Sequence, residues 1–347
     1  MSSTASAPLP APRIGAPAGA LVRLARGSPL RRFVIRRLLI AIPVLWGVTF
    51  LTFVVVGHLP GNAAQEILGA NATPQEVHQL SVKLGLDQPL LTRYWDWLHG
   101  LLTGNLGNSL VSHQSVTSIL GADLPVTFEL VGYALLLALV FAIPIALLAA
   151  RRPGGLFDRV SMVLSLAGLS IANYVLALVL VYFFADVWNL MPALGWVPPG
   201  QSFIQNIKYL TLPAVSLGLS LMCFYTRQLR ADLVQQMSSE EYVTTARAKG
   251  AGTWRVLTRH TLRNASFGLI TVVALNLGTL LGVTVIIEQI FGLPGIGHEL
   301  LGAINNRDVP VIEGAVFVFG LIVVLANLLA DLLYAVLDPR VRHGSAH

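Results

Sequence analysis

The side chains best suited to chemistry lie in one polar, basic segment, residues 238–265, which separates two long apolar runs. Their chemistry is ion pairing, because cationic side chains hydrogen-bond strongly to carboxylates. A loop between two membrane spans needs only to reverse the chain, so this density of charge predicts a docking surface for a soluble partner. A solvated positive face without a partner is the alternative, since exposed ion pairs contribute little. The cations are Arg247, Lys249, Arg255, Arg259 and Arg263.

The spacing within this segment predicts two short helices joined at an angle. Ser238 and Glu241 have the spacing of a capping box, which predicts that the first helix begins at Ser238. Gly250 favours a helix end, and Thr253 can cap the second helix. The second helix should be amphipathic, with one set of side chains on one side and the arginines on the other. The first set is Trp254, Leu257 and Thr261, and the second is Arg255, Arg259 and Arg263.

Metal and nucleotide sites are not indicated. Only His343 and His347 have an H-x-x-x-H spacing, and they lie at the carboxyl end without a third ligand, as in a frayed tail. No phosphate-binding loop, and no G-x-G-x-x-G after a strand, is present. The single cysteine, Cys223, excludes an intramolecular disulfide and suits a small buried hydrophobe. We therefore assign no metal and no cofactor to this chain.

Composition indicates that a membrane surrounds these residues. Of 347 residues, 54% are hydrophobic and 12% are charged, and the mean hydropathy is +0.69, which a soluble domain of this length does not reach. A helix needs about 20 apolar residues to cross the hydrocarbon core. We predict an all-α integral membrane protein with six transmembrane helices. The predicted spans are 33–57, 127–150, 160–186, 210–229, 267–290 and 311–336.

Six spans place both termini on one side, and charge predicts which side this is. Of the 23 Lys and Arg residues, 19 lie with the termini, because only Lys83, Arg93, Lys208 and Arg307 fall on the other side. The positive-inside rule then predicts cytoplasmic termini, and a cytoplasmic 238–265 segment, in a bacterial-type cell membrane. The pI near 9.8 accordingly reflects topology and anionic lipid contact, without nucleic acid.

The chain divides into parts that follow from these spans. A cleaved signal peptide is the alternative for the first apolar run, but the run exceeds the usual length and lacks a small-x-small cleavage site. The predicted parts are a disordered cytoplasmic tail at 1–28, an interfacial helix and first transmembrane helix at 29–57, a large extracytoplasmic loop at 58–126, a core domain with five transmembrane helices at 127–340 and a cytoplasmic tail at 341–347.

Uphill transport through such spans would need an energy source. Either a coupled ion acts through carboxylates inside the spans, as in a secondary transporter, or a separate ATPase subunit acts through residues 238–265. Carboxylates are scarce inside the spans, which favours the ATPase subunit. Asp331 is better explained by pairing with a neighbouring helix. Glu129, Glu288 and Glu313 lie near span ends. An intramembrane enzyme is a third alternative, but the spans show no nucleophile–base or metal constellation.

The basic segment resembles a known signature. Residues 244–250, TTARAKG, are similar to the E-A-A-x-x-x-G motif of ATP-binding cassette (ABC) importer permeases. Ala246, Gly250 and Leu262 keep the pattern. Thr244 and Thr245 replace its Glu and Ala, and Arg263 replaces a proline found in many members.

Four further stretches resemble the dipeptide and oligopeptide branch of these permeases, the B-type subunits. They occur in the family's order and in the expected relation to the spans. They are GLDQPL at 85–90 with RYWDW at 93–97, GNLGNS at 104–109 with Asn105 in place of an Asp, EQIFGLPGIG at 288–297, and LDPRVR at 337–342.

The resemblance implies the type I ABC importer permease fold and a set of partners. This subunit would pair with a second homologous permease, two ABC ATPase subunits that bind ATP and Mg, and an extracytoplasmic substrate-binding protein. It would itself be non-catalytic and carry di- or oligopeptides, although relatives carry nickel complexes, haem or glutathione. The ATPase-coupling residues would be Thr245, Ala246, Arg247, Lys249, Gly250, Ala251, Thr253 and Arg255.

Two further sets of candidate residues belong to the transport path. Polar residues in two spans could line it, but they could equally bond neighbouring helices together, as Ser, Thr and Asn commonly do. The path candidates are Ser170, Asn173, Tyr174, Asn276 and Thr279. The candidates for an outer gate or docking lip are Glu288, Pro294, Gly295 and Gly297. The simplest interpretation of the Pro-Gly-x-Gly stretch is a turn.

Overall fold

A computed structural model describes residues 29–58, 63–69, 72–83, 85 and 87–337. The predicted tails at 1–28 and 341–347, His343 and His347, and the end of the LDPRVR stretch lie outside the described residues. The described residues form helices with one isolated bridge between Asn108 and Ser115, so the all-α prediction is confirmed.

Thirteen α-helices make up the described chain. They are α1 Pro29–Gly57, α2 Ala63–Leu68, α3 Pro74–Lys83, α4 Leu90–Leu102, α5 Val116–Arg151, α6 Leu156–Ser170, α7 Asn173–Leu180, α8 Phe203–Ser239, α9 Glu241–Ala248, α10 Thr253–Val256, α11 Leu262–Phe291, α12 Ile296–Asn305 and α13 Val309–Leu337. A π-helical stretch, Val181–Val187, extends α7, and a second, Leu257–Thr261, joins α10 to α11.

Five helices in the described chain are long and apolar enough to cross a membrane as single rods. The predicted third span is different, because α6 and the helix Asn173–Val187 meet at a bend of 96°. The predicted span over 160–186 is therefore present as a bent pair of helices. Ile171 and Ala172 have extended backbone at the break, and neither is a glycine or proline that would have signalled it.

The bent pair nevertheless carries the chain from one end of the bundle to the other. Helices α5 and α8 run parallel, because Val126 shares a buried cluster with Leu210 whereas Ala150 shares another with Leu233. Because α5 and α8 run in the same direction, the chain between them must cross the bundle once. Asp158 of α6 meets α8 at one end, and Ala185 joins the Leu210 cluster at the other, so the described chain makes six crossings.

The two outermost helices of the chain, α1 and α13, lie side by side. Arg37 of α1 and Asp331 of α13 form an ion pair of 2.9 Å, which confirms that Asp331 pairs with a neighbouring helix. Residues 29 and 337 therefore lie at the same end of the bundle, together with residues 240–255. We call this the basic end and the other the opposite end. Cys223 is buried in α8, as predicted.

The segment predicted as a loop at 58–126 is largely helical. It contains α2, α3 and α4, and α5 begins at Val116, well before the predicted span start at 127. Thr73 and Glu76 form a capping box at the start of α3, in which Glu76 Oε2 accepts from the Thr73 backbone N–H at 2.8 Å. Hydrogen bonds to the Glu76 carboxylate hold its pKa below the usual range.

A buried contact fixes this segment to the bundle. Ser109, at the end of the GNLGNS stretch, donates its hydroxyl proton to Asp308 at 2.5 Å, and the backbone N–H of Leu110 donates to the same carboxylate at 3.1 Å. Ser109 and Asp308 are both buried. Asp308, which immediately precedes α13, therefore holds the loop before α5 in place.

Candidate functional site

The basic segment begins later than its sequence predicts. Helix α8 continues through Ser238 to Ser239, and the Ser238 hydroxyl donates to the Gln235 carbonyl at 2.9 Å instead of capping a new helix. The predicted capping box with Glu241 was therefore wrong. Helix α9 starts at Glu241, and only Glu240 separates it from α8. A single extended residue thus makes the turn.

The end of α9 at Gly250 is confirmed, and its cause is backbone geometry. Gly250 has φ +81°, a left-handed conformation that L-residues with side chains adopt at a cost. Its N–H donates to the Arg247 carbonyl at 2.9 Å, and the Ala251 N–H donates to the Ala246 carbonyl at 3.1 Å. These bonds satisfy carbonyls that the helix end would otherwise leave unpaired.

The second helix of the segment is not short. It begins at Thr253 with Gly252 in the capping position, so Thr253 is not the cap that its sequence predicts. It then runs without interruption through the π-helical stretch into α11, over Thr253–Phe291. The basic segment therefore consists of the end of α8, one short helix, α9, and the first turns of a long apolar helix.

Few side chains anchor this segment to the bundle. Val243, Val256, Leu257 and Thr261 are buried, and the Tyr242 hydroxyl bonds the Gln236 side chain at 3.0 Å. Trp254 is 46% exposed, whereas Leu257, which was predicted to share its side of the helix, is buried.

The remaining side chains of residues 244–255 form a continuous surface, which we call the coupling surface. Ala246 and Ala251 are partly buried within it. The cations Arg247, Lys249 and Arg255 are exposed, and within the described chain they form no ion pair. The exposed members are Thr244, Thr245, Arg247, Ala248, Lys249, Gly250, Gly252, Thr253, Trp254 and Arg255.

A second feature is a cavity of about 210 Å³ between α6, α7, α8 and α11, which we call the polar cavity after the four polar side chains in its otherwise apolar wall. Three of the predicted path residues, Asn173, Asn276 and Thr279, line it together with Ser220. Ser220 donates to Asn173 Oδ1 at 2.5 Å. The rest of the wall is apolar, and no charged side chain lines it.

The other two predicted path residues do not line this cavity. Ser170 ends α6 and donates its hydroxyl proton to the Leu166 carbonyl at 3.0 Å, while Tyr174 is half exposed. The bend at Ile171 and Ala172 removes the shared helical face that would have placed them beside Asn173. Ser220 was missed because nothing in its own neighbourhood distinguishes it from other serines in α8.

The third feature is a turn at the opposite end, residues 288–298, which joins α11 to α12. The Glu288 carboxylate is fully buried and accepts three hydrogen bonds, from the Thr127 hydroxyl at 2.8 Å and from the N–H groups of Gly297 and His298 at 2.7 and 3.2 Å. Thr127 also accepts from the Ile296 N–H at 3.0 Å. The carboxylate thus occupies the amino end of α12, where unpaired N–H groups favour an anion.

Two glycines are required for this arrangement. A Cβ on Gly295 would collide with the Glu288 carboxyl group, and a Cβ on Gly297 would collide with the Val285 backbone. Pro294 is exposed, whereas Glu288, Gly295 and Gly297 are buried. Any gate or docking lip here would have to present Pro294, because Glu288 is enclosed.

The described residues contain no group of three His, Cys, Asp or Glu side chains that could hold a metal ion. Asp158, in the first turn of α6, forms an ion pair with Arg230, and Glu288 is enclosed by hydrogen-bond donors. These two carboxylates are therefore engaged within the protein.

Comparison with known proteins finds two family models that together match most of the chain. Residues 142–343 match the model of the binding-protein-dependent transport system inner membrane component, and residues 30–131 match that of its amino-terminal region. The chain is 36% identical over 331 residues to the dipeptide transport system permease protein DppB of Alkalihalophilus pseudofirmus, covering 90% of this chain and 99% of that protein. It is 34% identical over 337 residues to DppB of Escherichia coli, covering 90% and 99% respectively.

Proposed function

This chain belongs to the family of binding-protein-dependent transport system inner membrane components, and we propose that it carries di- or oligopeptides across the cell membrane as a permease subunit of an ABC importer. The observation that carries this proposal is the match to dipeptide permeases along nearly the whole chain, from the first described helix onward. An ion-coupled secondary transporter finds no support among these relatives.

The proposed assembly supplies what this chain lacks. A second, homologous permease completes the path, two ABC ATPase subunits bind ATP and Mg and hydrolyse the ATP, and an extracytoplasmic binding protein delivers the peptide. The permease itself would be non-catalytic. Conformational change in the ATPases would then switch the path between inward-open and outward-open states.

The coupling surface is the proposed ATPase contact. Helix α8 has 37 residues, which is about 55 Å at 1.5 Å per residue and exceeds the roughly 30 Å of the hydrocarbon core. Its end therefore reaches water and presents α9 there. Arg247, Lys249 and Arg255 can pair with acidic groups on the ATPase, and Trp254 adds an exposed aromatic side chain of the kind that anchors protein interfaces.

The positive-inside rule supports a cytoplasmic location for the basic end. The 19 Lys and Arg that the sequence places with the termini include Arg37, Arg151 and the cations of the coupling surface. Both termini would then be cytoplasmic, and the 58–115 segment, with Pro294, would face the binding protein.

The polar cavity is the proposed wall of the peptide path. Asn173, Ser220, Asn276 and Thr279 are neutral donors and acceptors, which match the N–H and C=O groups that every peptide shares. Because none of them is charged, they would guide a peptide without holding it tightly, as a conduit requires.

The decisive experiment is transport by purified components. We would reconstitute the permease with its co-purified partners in liposomes and measure uptake of a radiolabelled dipeptide. Uptake should require ATP and binding protein and should persist when proton and sodium gradients are collapsed. Uptake that follows either gradient and needs no ATPase would overturn the proposal.

The role of the coupling surface is tested with one substitution and one control. Gly250→Asp adds a carboxylate among the cations and a Cβ at φ +81°, so the ATPase subunits should no longer co-purify. Gly104→Asp is the matched control, because Gly104 has φ +80° and open space around it but lies beyond the opposite end of the bundle. Equal ATPase recovery from both variants would exclude Gly250 from the contact.

A further inference from the structure

A buried ion pair ties the basic end of α8 to the first turn of α6. Arg230 donates from Nε to Asp158 Oδ1 at 2.8 Å and from Nη2 to Oδ2 at 2.6 Å, so the two planar groups meet edge to edge. The Gly154 N–H donates to the same carboxylate at 2.8 Å. The Asp158 side chain is 4% exposed, so water competes little for these bonds.

Close packing ties the same two helices together near the bend. Gly168 of α6 lies so close to Cys223 of α8 that a Cβ on the glycine would collide with the cysteine Sγ. Cys223 lies seven residues before Arg230 on α8, about 10 Å along the helix. Helix α6 therefore contacts α8 near both of its ends. Two stiff helices joined at two points should move as one body.

This body connects the coupling surface to the polar cavity. Helix α8 passes into α9 through Glu240 alone, so displacement of the coupling surface acts directly on the end of α8 that holds Arg230. The ion pair would pass that displacement to α6. Near the far end of α6 lies Leu169, which lines the cavity.

We propose that Asp158 and Arg230 are positioning residues for transport, which couple movement of the coupling surface to the part of the polar-cavity wall that α6 supplies at Leu169. This inference rests on the proposed function. It assigns the third span a moving part, helix α6, which ends at the bend of Ile171 and Ala172.

A second ion pair at the basic end provides the control. Arg37 and Asp331 join α1 to α13, and neither helix continues into the coupling surface. The Arg37 side chain is 48% exposed, whereas the Arg230 side chain is 24% exposed. Loss of this pair should leave the link between ATP hydrolysis and uptake unchanged.

The experiment measures two rates on the same liposomes, which contain the permease with its partner subunits. One is ATP-driven uptake of a labelled dipeptide, and the other is ATP hydrolysis stimulated by loaded binding protein. Asp158→Asn should lower the ratio of uptake to hydrolysis roughly tenfold, the size of effect that residues between two coupled sites produce. Arg230→Lys, which keeps the charge but loses the paired geometry, should lower it less. Asp331→Asn should leave the ratio at the wild-type value.

The outcomes separate the coupling role from a structural one. If uptake and hydrolysis fall in proportion, or if the ratio stays at the wild-type value in Arg230→Lys, the coupling proposal is overturned. Where Asp158→Asn fails to assemble with its partners, Arg230→Lys decides, since it retains a cation opposite Asp158. Absence of ATP-driven uptake in the wild type would instead overturn the proposed function.

Discussion

The helix that runs from Thr253 to Phe291 begins in the coupling surface and ends at the Glu288 turn, and its two ends are held in opposite ways. At the Glu288 turn, a buried carboxylate accepts three hydrogen bonds from within the chain. At the coupling surface the cations are exposed and unpaired within the described chain, and Trp254 is 46% exposed. One end is completed by the chain itself, and the other is the contact that we propose for a partner.

Glycine shows the same contrast. Gly297 is required because a neighbouring backbone approaches too closely for a side chain, whereas Gly250 has open space and is required only for its φ of +81°. A glycine in a motif therefore has two separate physical meanings. The first kind reports on packing within the chain, and the second reports on chain direction.

The largest expected effect is at Glu288. Glu288→Ala leaves the Gly297 and His298 N–H groups without an acceptor inside the protein, which should cost about 3 kcal/mol or more of folding free energy. The midpoint of thermal unfolding in detergent, and the yield from membranes, should both fall.

Glu299→Ala is the control for Glu288, because Glu299 lies on α12 and is only partly buried. It should leave the unfolding midpoint nearly unchanged. Equal midpoints for the two variants would show that the buried carboxylate does not stabilise the turn, and the contrast between the two helix ends would fail.

A smaller effect is expected at Gly297. Gly297→Ala forces the Val285 backbone to move, and overpacking of this kind costs about 1–3 kcal/mol. Gly302→Ala in the same helix meets open space and should be neutral or slightly stabilising. The unfolding midpoints of the two variants measure the difference directly, and a lower midpoint for Gly302→Ala would contradict the packing argument.

Trp254 should affect binding without affecting folding. Trp254→Ala removes a side chain that is 46% exposed, so the unfolding midpoint should stay at the wild-type value. Affinity for the ATPase should fall by about 2 kcal/mol if Trp254 is an interface anchor. Trp95, 68% exposed on α4, provides the control, since Trp95→Ala should change neither quantity. Titration of the purified ATPase against each variant measures the affinity.

Single cations should give the smallest effects. Lys249→Ala should weaken the ATPase contact by only about 0.2–1 kcal/mol, because exposed ion pairs are solvated and screened. The loss should shrink further as salt is raised from about 0.05 to 0.5 M. Titrations of wild type and variant across that range test both points. A large loss of affinity that does not change with salt concentration would mean that Lys249 becomes buried in the complex.

Predictions that rested on local chemistry were confirmed. Gly250 ends a helix because few other residues adopt its backbone conformation, and that preference is a property of one residue. Asp331 pairs with Arg37 because a carboxylate near a span end is costly without a cation. Cys223 is buried because α8 is apolar around it. None of these predictions required knowing which helix would be the neighbour.

A local pattern misled where a longer helix continued through it. Ser238 and Glu241 have the capping-box spacing, but α8 continues past Ser238, and the box occurs instead at Thr73 and Glu76. The Thr73–Glu76 box has a proline, Pro74, at the first helical position. The Ser238–Glu241 pair lacks this signal. The sequence therefore held a basis for choosing between them.

Apolar length, charge distribution and glycine placement were sufficient to predict a helical membrane protein with a basic coupling segment, because each is a sum over residues or a preference of a single residue. The bend between α6 and α7, the Asn173–Ser220 contact and the enclosure of Glu288 depended on three-dimensional packing. These features join residues up to 161 positions apart, as Thr127 and Glu288 are, and no local spacing specifies which helices meet. A side chain acquires its partner only when the bundle has assembled around it.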